Sequence, residues 1–193
     1  MERAFLAAIA RNRPLFALAD RVRELQLPGG CLAGGCLFQT VWNALHGFEA
    51  EFGIDDYDVF YFDAADLSAK GEAETTSRVR EACADLPLTL DVRNQARVHT
   101  WYPAEYGAPS PPFRDTQDGI DHFLGVCCSY GLRVGTDEAP VVYAPWGYDE
   151  LFDLAVRPNP RRLNDGGSLP DAYACKTERW RRLWPQLTIL PWG

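Results

Sequence analysis

The chain of 193 residues is 47% hydrophobic and 24% charged, a balance that excludes intrinsic disorder and fits one domain of moderate size. Its 27 acidic against 19 basic residues leave a formal net charge of -8. That argues against a binder of duplex nucleic acid, which needs a basic surface to displace counterions, and still allows a small anionic substrate at a locally positive site.

The chain starts MERAFLAAIARNR, with charges at Glu2, Arg3, Arg11 and Arg13 and no small-residue cleavage site, so no signal peptide is expected. The longest uncharged run, between Glu24 and Glu49, holds Pro28, Asn43, His46 and two Gly-Gly pairs. Such content does not suit a membrane helix, and a cytoplasmic protein without membrane contact is expected. Phe5, Leu6 and Ile9 form one helical stripe, and Leu15, Leu18, Val22 and Leu25 a second, with Pro14 in its first turn. Pro28-Gly29-Gly30 reads as a turn.

A short strand, Cys31-Leu32-Ala33, leads through Gly34-Gly35 into a helix marked by Leu37, Phe38, Val41, Trp42 and Leu45. Glycines at such a turn let a ligand approach the backbone. The helix N-terminus behind them offers free N–H groups to an anion. Ile54 to Asp63 reads as a covered central strand. On it Asp56 and Asp58 point to one face, roughly 6–7 Å apart, with Phe60 and Phe62 following; Tyr57, Val59 and Tyr61 line the other face. Two carboxylates in a partly desolvated place need a cation, or one must take up a proton. Mg²⁺ is the natural partner, being hard and oxygen-seeking.

A charged helix is expected over 66–84 and a long strand from Leu88 to His99. On that strand Thr89, Asp91, Arg93 and Arg97 share a face, so pairing beside the first strand would bring Asp91 to Asp56 and Asp58. Asn94, Gln95 and His99 pack or hydrogen-bond behind such a site. The four prolines from Pro103 to Pro112 predict a loop, and Asp115-Thr116 caps a short helix through Phe123. Strands are expected near Leu132–Val134 and Val141–Ala144. A helix should follow Gly147 and include Leu151, Phe152 and Ala155. A loop spans 157–167, a helix Tyr173 to Trp184, and a last strand Leu187 to Leu190. The whole is an α/β (α+β) arrangement, a mixed sheet flanked by helices. The six cysteines contain no C-x-x-C pair and are expected as buried free thiols.

A glycine pair opening a helix, then D-x-D, then a third acid on a later strand form an order that resembles the nucleotidyltransferase superfamily, whose fold is shared with DNA polymerase beta. The matching residues are Ala33-Gly34-Gly35, Asp56-Tyr57-Asp58 and Asp91. Longer strings are similar to the small bacterial nucleotidyltransferase family proteins of unassigned substrate: LAGGCLFQTVWNALHG, DYDVFYFD, VRNQARVHTWY, YAPWGYDELF, VRPNP and RWRRLWPQLTILPW. Twenty residues separate Gly35 from Asp56, longer than the usual interval and read as a local elaboration.

The resemblance implies one nucleotidyltransferase-like domain over 1–193, with N-terminal helices and a C-terminal helical and strand extension. It implies transfer of a nucleoside monophosphate from a nucleoside triphosphate to an acceptor hydroxyl on a small molecule or a protein, with pyrophosphate leaving. Asp56, Asp58 and Asp91 would be catalytic and hold Mg²⁺, or Mn²⁺ in its place. Gly34, Gly35, Arg93 and Arg97 would bind the nucleotide. Two alternatives share these residues: an inactive nucleotide- or partner-binding protein, and a metal-dependent phosphohydrolase. Lys176 is a candidate phosphate contact. Trp180, Trp184 and Trp192 either stack a base or anchor the end of the chain to the core.

Overall fold

A computed structural model describes residues 1–133 and 140–193. Its centre is a five-stranded mixed sheet, ordered β3-β2-β1-β4-β5. The strands are β1 (Cys31–Ala33), β2 (Tyr57–Tyr61), β3 (Leu90–Asn94), β4 (Gly131–Arg133) and β5 (Val141–Tyr143). β2 and β3 run parallel, and the other neighbours are antiparallel. A separate parallel pair joins β6 (Ala155–Val156) to β7 (Thr188–Ile189).

Alternation gives the sheet two unlike faces. Leu32, Tyr57, Val59, Leu90, Val92 and Leu132 point to the main core. There they meet α1 (Glu2–Ile9), α2 (Arg13–Glu24), α3 (Gly35–His46) and α4 (Ala69–Ala82), whose buried residues include Phe5, Ile9, Leu15, Leu18, Val22, Leu37, Val41 and Val79. The opposite face carries Cys31, Ala33 and Phe60 against Ile120 and Phe123, beneath α5 (Val98–Tyr106) and α6 (Thr116–Asp121). The same face carries Asp58 and Asp91, which are register partners across β2 and β3.

The two N-terminal helices form as the apolar spacing predicts. Asn12, which periodicity does not reveal, starts the second by accepting from Leu15 N–H at 3.1 Å. Its amide also donates to Thr40 and Tyr57, so a helix cap doubles as a buried link between α2, α3 and the sheet.

Several boundaries differ from the sequence reading. The strand expected over 54–63 is only Tyr57–Tyr61, which leaves Asp56 just outside it and exposed. The strand expected to His99 stops at Asn94. Asn94 Oδ1 accepts from Ala96 N–H and Asp63 N–H, while its amide donates to Asp63 and Asp66 carbonyls. These bonds turn the chain into a short 3-10 turn at 95–97 and then α5. α5 continues through Pro103 to Tyr106, where a loop was expected, and Gly107 closes it in the left-handed conformation. α6 ends at Asp121, two residues early, with Asp115 accepting from Asp118 N–H as its cap. The helix after Gly147 is the short α7 (Asp149–Phe152), so Ala155 belongs to β6. Val134 lies outside the described residues.

The last helix, α8 (Leu169–Leu183), is fastened to α3 by aromatic packing. Trp42 lies 5.6 Å from Trp180 and 5.3 Å from Trp184, ring centre to ring centre. Phe38 packs edge-on against Trp180, and Trp184 Nε1 donates to buried Asn43. The C-terminal tryptophans therefore anchor the chain end, Trp192 doing so against Tyr173. All six cysteines are free and five are buried. No helix among the described residues is long and apolar enough to cross a membrane.

Candidate active site

β1 runs straight into α3 at Gly34, which adopts φ 64° and ψ -127°. Side chains rarely adopt that conformation. A second constraint is steric: a Cβ on Gly34 would lie 2.8 Å from Asp58 Oδ2. The absence of a side chain thus lets the Asp58 carboxyl lie against the turn. The N–H groups of Gly35 and Cys36, in the first turn of α3, have no intrahelical acceptor, and the positive end of the helix dipole lies with them.

Gly34, Gly35, Asp56 and Asp58 line one cleft of about 220 Å³. The twenty residues between the glycines and Asp56 are absorbed by α3 and the turns after it, and they do not separate the two groups. Gln39, one turn into α3, also lines this cleft with its Oε1 buried and without a partner.

Asp58 is the most perturbed of the three acids. Burial, then the charges of Asp56 and Asp91, raise its pKa to about 8, against the opposing pull of Lys176 and Arg93. Asp56 is raised too, first by desolvation and then by Asp91. Asp91 is held by Arg93, whose Nε donates to Oδ1 at 2.8 Å.

The cations around this group come from distant parts of the chain. Lys176 of α8 lines the cleft and opposes the raised pKa of both Asp56 and Asp58. Arg179, one turn on, donates to Asp55 Oδ1 at 2.6 Å and to the Gly53 carbonyl at 2.8 Å, also at the cleft wall. The sequence offers Lys176 as a candidate phosphate contact, and no short-range pattern links it to Asp58.

A second cleft of about 230 Å³ meets the first at Asp58, Phe123, Leu124 and Lys176. Asp91 and Arg93 lie on this side, with Trp101, Tyr102, Phe113 and His122 around them. Arg93 also stacks over the Trp101 ring at 5.5 Å. Arg162 is buried deep in the same wall, bonded to the His122 carbonyl and Tyr102 hydroxyl and paired with Asp165.

Of the residues selected from sequence, the structure brings together Gly34, Gly35, Asp56, Asp58, Asp91 and Arg93. It does not bring Arg97 to them. Because β3 ends three residues earlier, Arg97 leaves the Asp91 face, pairs with Glu72 and donates to the Leu67 carbonyl. Glu72 in turn accepts from Asn94 N–H, so Arg97 braces the end of the strand.

A family model described as nucleotidyltransferase matches residues 20–189. The chain belongs to that family. It is therefore a nucleotidyltransferase, as its glycine turn and strand acids suggest. A solved NMR structure, described as revealing a CCA-adding enzyme head domain, superposes with a TM-score of 0.78 over 97% of this chain and 94% of that one. The two are 23% identical, and the likeness shows that they share a fold. No curated protein sequence matches this nucleotidyltransferase.

Proposed function

We propose that this protein moves a nucleoside monophosphate from a nucleoside triphosphate to an acceptor hydroxyl in a reaction that depends on a divalent cation, Mg²⁺ or Mn²⁺. The observation that carries the reading is one cleft in which an open helix N-terminus faces two carboxylates, Asp56 and Asp58, with a third acid, Asp91, in register beside Asp58. The donor set fits a hard divalent cation. Asp58 is a half-buried carboxylate beside two others, and such a group needs either a proton or a cation. Among the described residues no three His, Cys, Asp or Glu groups are close enough to hold a metal by themselves. Mg²⁺ commonly takes one or two carboxylates and fills its shell with substrate phosphates and water.

Asp56 and Asp58 would hold the cation, with Asp91 contributing from the acceptor side. When bound, the cation supplies positive charge to the phosphate oxygens as charge builds on them. The chain's own groups do the rest. The N–H groups of Gly35 and Cys36 receive the outer phosphates, and Lys176 balances their charge from the opposite wall. Arg93 adds positive charge near the α-phosphate while keeping Asp91 in place. The Asp91 carboxylate, half-exposed on the second cleft, takes the acceptor's proton. The acceptor oxygen forms a bond to the α-phosphorus, the bond to the bridging oxygen breaks, and pyrophosphate carries away its electron pair. The acidic surface favours a small molecule or a protein as acceptor over a long nucleic acid.

Calorimetric titration with each of the four ribonucleoside triphosphates, first with Mg²⁺ and then with EDTA, tests the reading without the acceptor. Binding is expected only with metal, and Asp56→Asn is expected to weaken it at least tenfold while leaving the fold intact. Equal affinity in EDTA, or in a folded Asp56→Asn variant, overturns the metal site. Release of free monophosphate by the protein alone would instead favour a hydrolase.

A further inference from the structure

Two cysteines that nucleotidyl transfer does not use stand side by side at the wall of the first cleft. Cys127 and Cys128 belong to a short 3-10 turn, Val126–Cys128, and their Sγ atoms lie 3.9 Å apart. Both sulfurs sit on the same side of that turn, over Gly125, where a Cβ would meet Cys127 Sγ at 3.5 Å and Cys128 Sγ at 3.6 Å. The two thiols are not equivalent. Cys127 is 1% exposed, and burial followed by the Cys128 thiol pushes its pKa well above the ordinary value, so it keeps its proton. Cys128 is 8% exposed and lines the cleft that Gly34, Gly35, Asp58 and Lys176 also line. A small molecule that enters the cleft reaches Cys128 first.

The backbone ties this pair to the glycine turn. The Cys128 carbonyl accepts from Tyr130 N–H at 2.8 Å, and the Tyr130 carbonyl accepts from Gly34 N–H at 3.1 Å. Adjacent Cα atoms lie about 3.8 Å apart across a trans peptide, short of the roughly 4.4–6.8 Å that a disulfide usually spans. Joining the two sulfurs therefore requires the backbone at Cys127 and Cys128 to turn, and the Cys128 carbonyl begins the path to Gly34. The same mismatch makes such a disulfide easy to reduce.

We propose that Cys127 and Cys128 form a dithiol that hydrogen peroxide oxidises to a reversible disulfide, and that this bond loosens the glycine turn. Cys128 Sγ attacks one peroxide oxygen, the O–O bond breaks, and the other oxygen leaves as water with the Cys128 proton. Sulfur is oxidised by two electrons to a sulfenic acid, and the peroxide is reduced. Cys127 Sγ then bonds to Cys128 Sγ, the S–O bond breaks, and the departing hydroxyl takes the Cys127 proton as a second water. That a loosened turn weakens nucleotide binding rests on the reading of the first cleft given above; the disulfide itself does not.

In the experiment the full chain is treated with hydrogen peroxide, its remaining thiols are alkylated, and trypsin releases residues 115–133, a fragment whose only cysteines are Cys127 and Cys128. In the wild type that fragment should be unalkylated and lighter by two hydrogen atoms, and dithiothreitol should reverse the change. Hydrogen exchange at Gly34 N–H should quicken by about tenfold on oxidation, the scale of one backbone hydrogen bond. Triphosphate affinity with Mg²⁺ should fall by a similar factor, and both should recover on reduction. Cys127→Ala should bind triphosphate as the reduced wild type does, form no disulfide, and keep the slow Gly34 exchange after peroxide. A wild-type fragment that stays alkylated or only gains oxygen overturns the proposal. So does a disulfide that leaves Gly34 exchange unchanged, or exchange that quickens equally in Cys127→Ala. If the reduced wild type binds no triphosphate, the nucleotidyl-transfer reading fails, while the fragment mass and Gly34 exchange still decide the role of the dithiol.

Discussion

Replacing Asp58 with Asn will abolish metal-dependent triphosphate binding and, in EDTA at pH 8, will make the protein more stable. The first effect follows because Asp58 is the acid that touches both clefts. The second follows from its raised pKa of about 8. An unfolded chain holds Asp near its ordinary value of about 3.9, so between about pH 4 and 8 the folded protein keeps a proton that the unfolded one has lost. Stability of the metal-free protein therefore falls as pH rises through that window. Asn removes the loss, worth about 2–3 kcal/mol once water in the open cleft is allowed for, and the melting temperature in EDTA at pH 8 should rise by about 5 °C or more. At pH 4 the two proteins should melt together. With Mg²⁺ the order reverses: the cation must expel the proton, so triphosphate affinity in the wild type should climb by up to about tenfold per pH unit until pH 8. Thermal scans at both pH values and titrations from pH 6 to 9 measure these effects. An Asp58→Asn variant less stable than wild type in EDTA at pH 8 would mean that the carboxylate is already neutralised inside the fold.

Gly34→Ala is expected to be the most damaging single change at the turn. The new Cβ meets strain at φ 64° and, 2.8 Å away, the carboxyl whose position the site depends on. Backbone strain of this kind costs about 1–3 kcal/mol, and displacement of Asp58 should weaken metal-dependent binding more than tenfold. Gly47 supplies the comparison. It closes α3 at φ 72°, and a Cβ there meets nothing within 4 Å. Gly47→Ala should therefore lose about 1 kcal/mol and leave binding alone. Urea unfolding and calorimetry on both variants separate the strain from the collision; equal binding losses would show that the Asp58 contact is unimportant.

The parts of this site that sequence alone displays are those set by local rules. Alternation in DYDVFY sends Tyr57 and Val59 to the core, which forces Asp58 to the other face. The Gly34-Gly35 pair between an apolar triplet and a helical stripe marks a strand-to-helix turn. What alternation cannot supply is the partner. That Asp91 lies in register beside Asp58 depends on the parallel pairing of β2 and β3, which is a tertiary fact. The end of β3 was hidden for a similar reason. Val92 to His99 keeps a strand-like pattern, and the break at Asn94 comes from bonds to Asp63 and Asp66, some thirty residues earlier in the chain. That break moves Arg97 to Glu72 and swings Gln95 and Trp101 into the second cleft. The sequence offers Lys176 only as a candidate phosphate contact and does not tie it to Asp58, because its place is fixed by tryptophans packing on α3.

That packing also sets the timing of assembly. During synthesis the ribosome releases the glycine turn and all three acids long before α8, since chains emerge from the N-terminus. Until Trp180 and Trp184 find Trp42, the aromatic side of α3 stays open and the acids face solvent without Lys176 or Arg179. A nascent chain would thus carry a repelling acidic cluster over a sticky, unfinished helix. Only the final few dozen residues bring the counter-charge and cover the apolar surface in the same movement, so competence for nucleotide and protection from aggregation should be acquired together.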